Sequence, residues 1–252
     1  MDELPMDSKH NFVEVAKEMA PHGVFRVGLN MANFLLVRAN QQGQEPSGIA
    51  PSMAKEIANR LGLKIQFFPY ATPGEMADDA SKDIWDMALL AVEPARATVI
   101  DFTDAYLEIE SSYLVPPGSS IQSVEEVDRP GVKIAVMEKS AYDLYLSRSI
   151  QHATLVHAKS MDESFDIFVN QKLDALAGLK PRLIQEEQKL KGSRMLAGRF
   201  TAVQQAIGVP RGKPLSSSFI RDFVQEAIST GLVQKIIDDH HIKGVSVAAL
   251  KD

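Results

Sequence analysis

The feature that most restricts the fold is the stretch from Gly48 to Phe68, where a helical apolar stripe leads straight into a short apolar run. In APSMAKEIANRLG, Ala50, Met53, Ala54, Ile57, Ala58 and Leu61 fall at i, i+3, i+4, i+7, i+8 and i+11, which is one face of an α-helix. Pro51 suits the first turn and Gly62 the position just past the end. Val24–Leu29 before the helix and Leu63–Phe68 after it read as strands. A strand, a helix and a second strand in that order predict a parallel pair joined by a right-handed crossover.

The same grammar recurs along the chain. Residues 11–20 predict a short amphipathic helix through Phe12, Val15, Ala16 and Met19, ending at Pro21-His22-Gly23. A polar loop, NQQGQEPSG, precedes the long stripe. Ile84–Leu90 and Val132–Met137 read as strands, and a helix over EKSAYDLYLSRSI follows the second. Ser160-Met161-Asp162-Glu163 predicts a capping box ahead of Phe165, Phe168 and Val169. Leu173–Gly178 reads as a strand and Pro181 as a helix start. Ile220, Phe223, Val224, Ala227 and Ile228 mark a late helix closed by Gly231. Two α/β halves result, divided near the extended stretch Leu107–Pro117, with no Gly/Ser linker and no tandem repeat.

Composition narrows the functional classes. A formal charge of −6 with scattered Lys and Arg argues against a nucleic-acid footprint, which needs clustered basic residues. No apolar stretch approaches membrane-spanning length, so no membrane insertion is expected. The absence of cysteine removes disulfides, thiolate nucleophiles and Cys-based zinc sites together. The leading MDELPMDSKHNFVEVAKEM has no basic region followed by an apolar one, so it does not read as a secretory signal.

Few motifs carry chemistry. His152 and His157, the adjacent His240 and His241, and the isolated His10 and His22 match no metal-ligand spacing and read as surface histidines. Ser119, Ser120 and Ser216–Ser218 lack the nucleophile elbow. Glu125-Glu126, Glu186-Glu187 and Asp238-Asp239 read as solvated faces. Phosphate-cradling glycine loops are missing, so no nucleotide cofactor, and no cofactor of any kind, is expected.

One segment is more informative. From Ile84 to Tyr106 a buried strand runs into a turn, a Pro-started helical turn presents Arg96, and the chain enters IDFTDAY. A lone arginine there has two readings. It pairs with Asp101 or Asp104 to hold the turn, or its planar fork grips a ligand carboxylate.

This segment resembles the signature of the family 3 extracytoplasmic solute-binding proteins, which serve polar amino-acid ABC importers. The matching residues are Trp85-Asp86, Val92-Glu93-Pro94-Ala95-Arg96-Ala97 and Asp101-Phe102-Thr103-Asp104-Ala105-Tyr106. The likeness extends over roughly residues 23–245. It takes in Phe25-Arg26-Val27-Gly28, the Gly48–Gly62 helix and the strand-to-helix turn at Val136–Tyr145. The resemblance implies the α/β type II periplasmic-binding-protein fold. Its lobes would be 1–107 with 206–252, and 108–205, each a mostly parallel sheet flanked by helices. Two crossing strands near 107–115 and 203–208 would form the hinge, with ligand between the lobes.

Carried over position by position, the resemblance makes Arg96 the carboxylate-binding arginine and Ala91 a backbone contact to the same group. Ser140, Ala141 and Tyr142 would complete the grip from the second lobe, at a helix start. Asn30 and Asn33 would touch the ligand side chain. The family's acid for an α-ammonium falls near Leu179 or Lys180, and neither is acidic; Ala88-Leu89 stand where a Ser/Thr pair is usual. Glu108 or Glu110 on the first crossing strand could replace the acid, or the ligand lacks an amine. Gln204 and Gln205 on the second crossing strand are further polar candidates.

The expected function is therefore capture of a small carboxylate-bearing metabolite, an amino acid or organic acid, by hinge closure. The implied partners are an anionic or zwitterionic ligand and an ABC permease, and the chain would act as a monomer rather than an enzyme. The family implies the periplasm, while the absence of a recognisable signal leaves the cytoplasm open. Two rivals share the fold: a lyase of the cyclohexadienyl dehydratase type, with Glu108 or Glu110 as general acid, and a cytosolic ligand-sensing receptor.

Overall fold

The computed structural model describes residues 10–41 and 44–250, so part of the leading segment and of the polar loop discussed above lies outside the described residues. In chain order the elements are α1 (Phe12–Met19), β1 (Phe25–Asn30), α2 (Ile49–Leu61), β2 (Ile65–Tyr70), α3 (Pro73–Asp78), β3 (Met87–Ala91), β4 (Ile100–Phe102) and β5 (Leu107–Val115). Then come β6 (Lys133–Met137), α4 (Ala141–Ser149), β7 (Thr154–Ala158), α5 (Met161–Asn170), β8 (Ala175–Leu179) and α6 (Lys180–Lys189). The chain closes with β9 (Arg194–Met195), β10 (Thr201–Pro210), α7 (Pro214–Ser229), α8 (Leu232–Asp239) and β11 (Ser246–Val247).

The chain forms two compact units. Unit 1 takes the chain up to Glu108, Gln204–Ile242 and the stretch from Ser246 onward; unit 2 takes Ile109–Val203 and Lys243–Val245. Strands β5 and β10 carry the chain from one to the other.

In unit 1 the sheet order is β2-β1-β3-β10, the first three parallel and β10 antiparallel. Val27, Leu29, Met87 and Leu89 are buried in it, as the parallel arrangement demands of strands covered on both faces. Helices α2 and α3 pack on β1, and α1 packs on α2 and α7. The apolar stripe of α2 is wholly buried through Met53, Ala54, Ile57 and Ala58, and Gly62 closes the helix at φ 63°. Gly48 admits no other residue easily. Its φ is 127°, and a Cβ there would meet the Leu36 carbonyl oxygen at 2.4 Å, the same oxygen that accepts from Ala50 N–H. One core cluster gathers Met76, Ala80, Trp85, Ala88, Leu90 and Ile100, with Trp85 Nε1 donating to the Met76 carbonyl at 3.0 Å.

Unit 2 repeats the plan. Strands β7, β6 and β8 are parallel, β5 pairs antiparallel with β8, and β9 pairs with the end of β5. Its core contains Leu114, Ala135, Phe168, Leu173, Leu176 and Leu183.

Several sequence expectations shift. The third strand spans Met87–Ala91 rather than Ile84–Leu90, because Trp85 and Asp86 turn inward ahead of it. Gly231 does not merely end a helix: at φ 77° it separates α7 from a further helix, α8, which the apolar pattern did not announce. The capping box at Ser160 is half made. Ser160 Oγ accepts from Glu163 N–H, but the Glu163 carboxylate takes the Lys159 N–H instead of returning to Ser160. A reciprocal box forms elsewhere, between Thr72 and Glu75.

Candidate functional site

In an open α/β sheet, ligands gather beyond the carboxyl ends of the strands. In unit 1 those ends are Asn30 of β1, Tyr70 of β2 and Ala91 of β3, set side by side by the pairings Asn30 with Tyr70 and Leu29 with Leu89.

After β1 the chain turns tightly. Asn30 Oδ1 accepts from Ala32 N–H at 3.2 Å, an Asx turn. The Asn33 carbonyl accepts from both Leu36 and Val37 N–H at 3.0 Å. This turn buries the Asn33 side chain, leaving Oδ1 without a hydrogen-bond partner among the described residues. Buried polar atoms without a partner are rare in folded proteins.

After β3 the chain turns back on itself. Val92 N–H donates to the Gln204 carbonyl of β10 at 2.9 Å, so strand alternation turns the Ala91 N–H and carbonyl to the β1 side. Arg96 opens a short helical turn, Arg96–Thr98, and sends Nη1 to the Ala91 carbonyl at 2.9 Å. Its side chain is almost fully buried, at 4% exposure. Burial pushes the guanidinium down to about 10, while the neighbouring Glu93 carboxylate pulls the other way, so the group stays charged at neutral pH. Asp101, one of the two acids weighed as a structural partner, pairs instead with Arg211 at 3.2 Å. Gln205 pairs with Ala91 in register and is buried; Gln204, on the opposite face of β10, is half-buried.

In unit 2 the corresponding strand ends are Met137 and Leu179. Lys139, at φ 56°, turns the chain into α4, and Ser140 caps that helix by accepting from Asp143 N–H at 3.1 Å. The next N–H groups, those of Ala141 and Tyr142, have no acceptor within the helix and sit at its positive end. Ser140, Ala141 and Tyr142 are all buried, and burial raises the Tyr142 phenol above its usual range. Asp143 is committed: its carboxylate accepts from Lys139 N–H at 2.8 Å, Ser147 Oγ at 3.2 Å and His157 Nε2 at 2.9 Å.

Glu110 of β5 is also committed. It forms an ion pair with Lys180 and a second, at 3.2 Å, with Arg199. The Lys180 ammonium, acting first, holds the carboxyl below its usual range. The nine candidate residues thus divide between the units. Arg96, Ala91, Asn30, Asn33 and Gln204 belong to unit 1, and Ser140, Ala141, Tyr142 and Glu110 to unit 2. Sequence reasoning missed Glu93 beside Arg96, and it missed that Lys180 and Arg199 converge on Glu110.

The fold is the type II periplasmic-binding-protein architecture. The crystal structure of a histidine kinase sensor domain with similarity to periplasmic binding proteins aligns at a TM-score of 0.75, with 17% identity, over 90% of this chain and 99% of that one. The crystal structure of an ancestral amino acid-binding protein, a precursor of cyclohexadienyl dehydratase, aligns at 0.72 with 20% identity, over 89% of this chain and 98% of its own. The family model of bacterial extracellular solute-binding proteins, family 3, matches residues 26–242, and the chain belongs to that family. A curated relative, the ABC transporter glutamine-binding protein GlnH of Bacillus subtilis (strain 168), is 24% identical over 201 residues, or 78% of this chain and 73% of the relative. Both the family and this relative are binding proteins.

Proposed function

We propose that this protein captures a small carboxylate-bearing metabolite, an amino acid or organic acid, and delivers it to an ABC-type permease from outside the cytoplasm. The two units, whose bounds lie close to the expected lobes 1–107 with 206–252 and 108–205, act as lobes hinged on β5 and β10, with the ligand touching both. One observation carries the reading: a nearly buried, charged guanidinium, Arg96, lies just past the end of a central parallel strand. Its planar donors are held at that strand end by the Ala91 carbonyl, beside Glu93, and a planar fork suits a ligand carboxylate.

Arg96 takes one end of the carboxylate, joined by the Ala91 backbone. The N–H groups of Ala141 and Tyr142, with Ser140, receive it from the other lobe. Asn30 and Asn33 meet the remainder of the ligand, and the empty Asn33 Oδ1 supplies an acceptor. Contacts to both lobes are what shift the open–closed equilibrium, because a ligand that touches both states equally shifts nothing. The glutamine-binding relative supports a small polar ligand and a transporter partner.

Thermal-shift screening of the full chain against amino acids and organic acids tests this reading. A bound ligand raises the melting temperature with occupancy. The expected result is a carboxylate hit that Arg96→Ala abolishes. A hit that Arg96→Ala keeps in full would remove the site from consideration.

A further inference from the structure

The turn after β3 sets two opposite charges side by side. The Glu93 carbonyl accepts from Ala97 N–H at 3.0 Å and the Arg96 carbonyl from Val99 N–H at 3.1 Å, so the chain from Glu93 to Val99 coils helically. Residues three apart on such a coil are neighbours on one face, which brings the Glu93 side chain next to that of Arg96. Both are nearly buried, at 6% and 4% exposure, and the Glu93 carboxylate acts on the Arg96 guanidinium. The pair follows the carboxyl end of β3 at once and lies within unit 1. Glu93 and Arg96 together carry no net charge, so the place they make is dipolar rather than cationic.

A second feature lies at the next strand end. Strands β1 and β3 are parallel neighbours, and the turn after β1 buries Asn33, whose Oδ1 has no hydrogen-bond partner among the described residues. That atom accepts and cannot donate. A bare carboxylate brings only acceptors, so it suits neither Asn33 Oδ1 nor Glu93, whereas an ammonium group brings three donors. The remaining acids are less suited to such a group. Glu110 is engaged by Lys180 and Arg199, Glu108 is half-buried at the start of β5, and Glu138 is exposed in unit 2.

We infer that Glu93 receives a positively charged group that the solute carries next to its carboxylate, so that unit 1 alone reads both charges of the guest. This deepens the proposed function and rests on it. Arg96 still takes the carboxylate, and Glu93 faces the adjoining cation, so each charge of the guest meets its opposite. A solute with a carboxylate and no cation meets Arg96 but also the like charge of Glu93, and it leaves Asn33 Oδ1 unfilled. Selection then comes from repulsion of the wrong guest as well as attraction of the right one.

The experiment is isothermal titration of the full chain with matched pairs that differ only in the α-ammonium: glutamine and 4-carbamoylbutanoate, glutamate and glutarate, leucine and 4-methylpentanoate, phenylalanine and 3-phenylpropanoate. At least one amino acid should bind about 30-fold tighter than its deaminated counterpart, the low end of the cost of leaving one member of a buried charge pair unmatched. Glu93→Gln should weaken the amino acid and strengthen the deaminated acid, so the gap closes from both sides; a purely structural counter-ion to Arg96 would weaken both. Glu93→Asp keeps the charge, should keep part of the gap, and carries the test if Glu93→Gln does not fold. Glu108→Gln should leave the gap in place. The inference is overturned if no amino acid binds, or if every deaminated acid binds as tightly as its counterpart. It is equally overturned if Glu93→Gln weakens both members alike, if neither Glu93 variant narrows the gap, or if Glu108→Gln closes it. Binding that survives Arg96→Ala in full would instead count against the reading of the site, which keeps the two failures apart.

Discussion

Arg96 sends Nη1 back to the carbonyl oxygen of Ala91 at 2.9 Å, so the arginine that would anchor a ligand is itself anchored to the strand end that presents it. That bond fixes the plane of the guanidinium, and a planar fork is what bidentate carboxylate recognition needs. Arg96→Lys keeps the charge and loses the fork, so the two properties separate. Arg96→Ala should cost about 2–5 kcal/mol of ligand binding, the usual penalty for removing one partner of a buried charge pair. Arg96→Lys should fall between wild type and alanine. A lysine variant with wild-type affinity in titration would show that geometry plays no part.

Alkaline stability follows from the buried phenols. Burial raises the Tyr70, Tyr106, Tyr113 and Tyr142 phenols above their ordinary range, so the folded chain holds those protons more tightly than the unfolded one. Their contribution is complete below pH about 10 and is lost as the pH rises past it. Arg96, pushed down to about 10, works in the opposite direction above that pH, but it is one group against four. The Tyr106 hydroxyl is fully buried with no partner among the described residues, so Tyr106→Phe removes a desolvation cost. The variant should gain up to about 1 kcal/mol at neutral pH and lose stability less steeply in alkali, both read from urea midpoints. A loss of stability at neutral pH would mean that the hydroxyl has a partner.

Much of the fold was legible because its signals are local. The α2 stripe, Pro51 and Gly62 are neighbours in sequence, and each rule for them acts within a few residues. The third strand was misplaced because Trp85 and Asp86 look like the start of an apolar run, yet each is drawn to a distant group: Trp85 to the Met76 carbonyl and Asp86 to Arg26. Helix α8 went unread because a glycine after a helix reads as a stop, although the same left-handed conformation can open the next helix. Arg96 could be singled out from its turn and its neighbours. The ion pair of Lys180 with Glu110 could not, because the two are 70 residues apart and only the β5–β8 register brings them together.

Asp128 gives unit 2 an acid-sensitive tie. Burial alone would raise its carboxyl, but backbone N–H groups of Ala153, Gln151 and His152, at 2.9, 2.9 and 2.8 Å, outweigh it and hold the carboxyl below its usual range. Its contribution is therefore present above pH about 4 and is lost as the pH falls through the lowered value. Asp128→Ala should destabilise the chain by about 1–2 kcal/mol at neutral pH, a loss that shrinks towards zero in acid. An equal loss at both ends of that pH range, measured by urea unfolding, would contradict the charge-based account.

Asp86 belongs to the segment that carries the family signature, yet it stands at the amino ends of β1 and β3, opposite the candidate site. Its fully buried carboxylate accepts from Arg26 N–H and Nε at 3.0 Å and from Arg26 Nη2 at 2.8 Å, with Lys213 Nζ at 3.4 Å. Arg26 also reaches Asp83, and these acids hold its guanidinium firmly protonated. Removing Asp86 leaves the mostly buried Arg26 with only the exposed Asp83 for a counter-ion, so Asp86→Ala should cost about 3–5 kcal/mol of stability. The double variant Asp86→Leu with Arg26→Met removes both charges and should recover much of that loss. Ligand affinity at saturating protein folding should be unchanged in both, since neither residue lies at the carboxyl edge of the sheet. A loss below about 1 kcal/mol for Asp86→Ala would reduce this cluster to an ordinary surface ion pair.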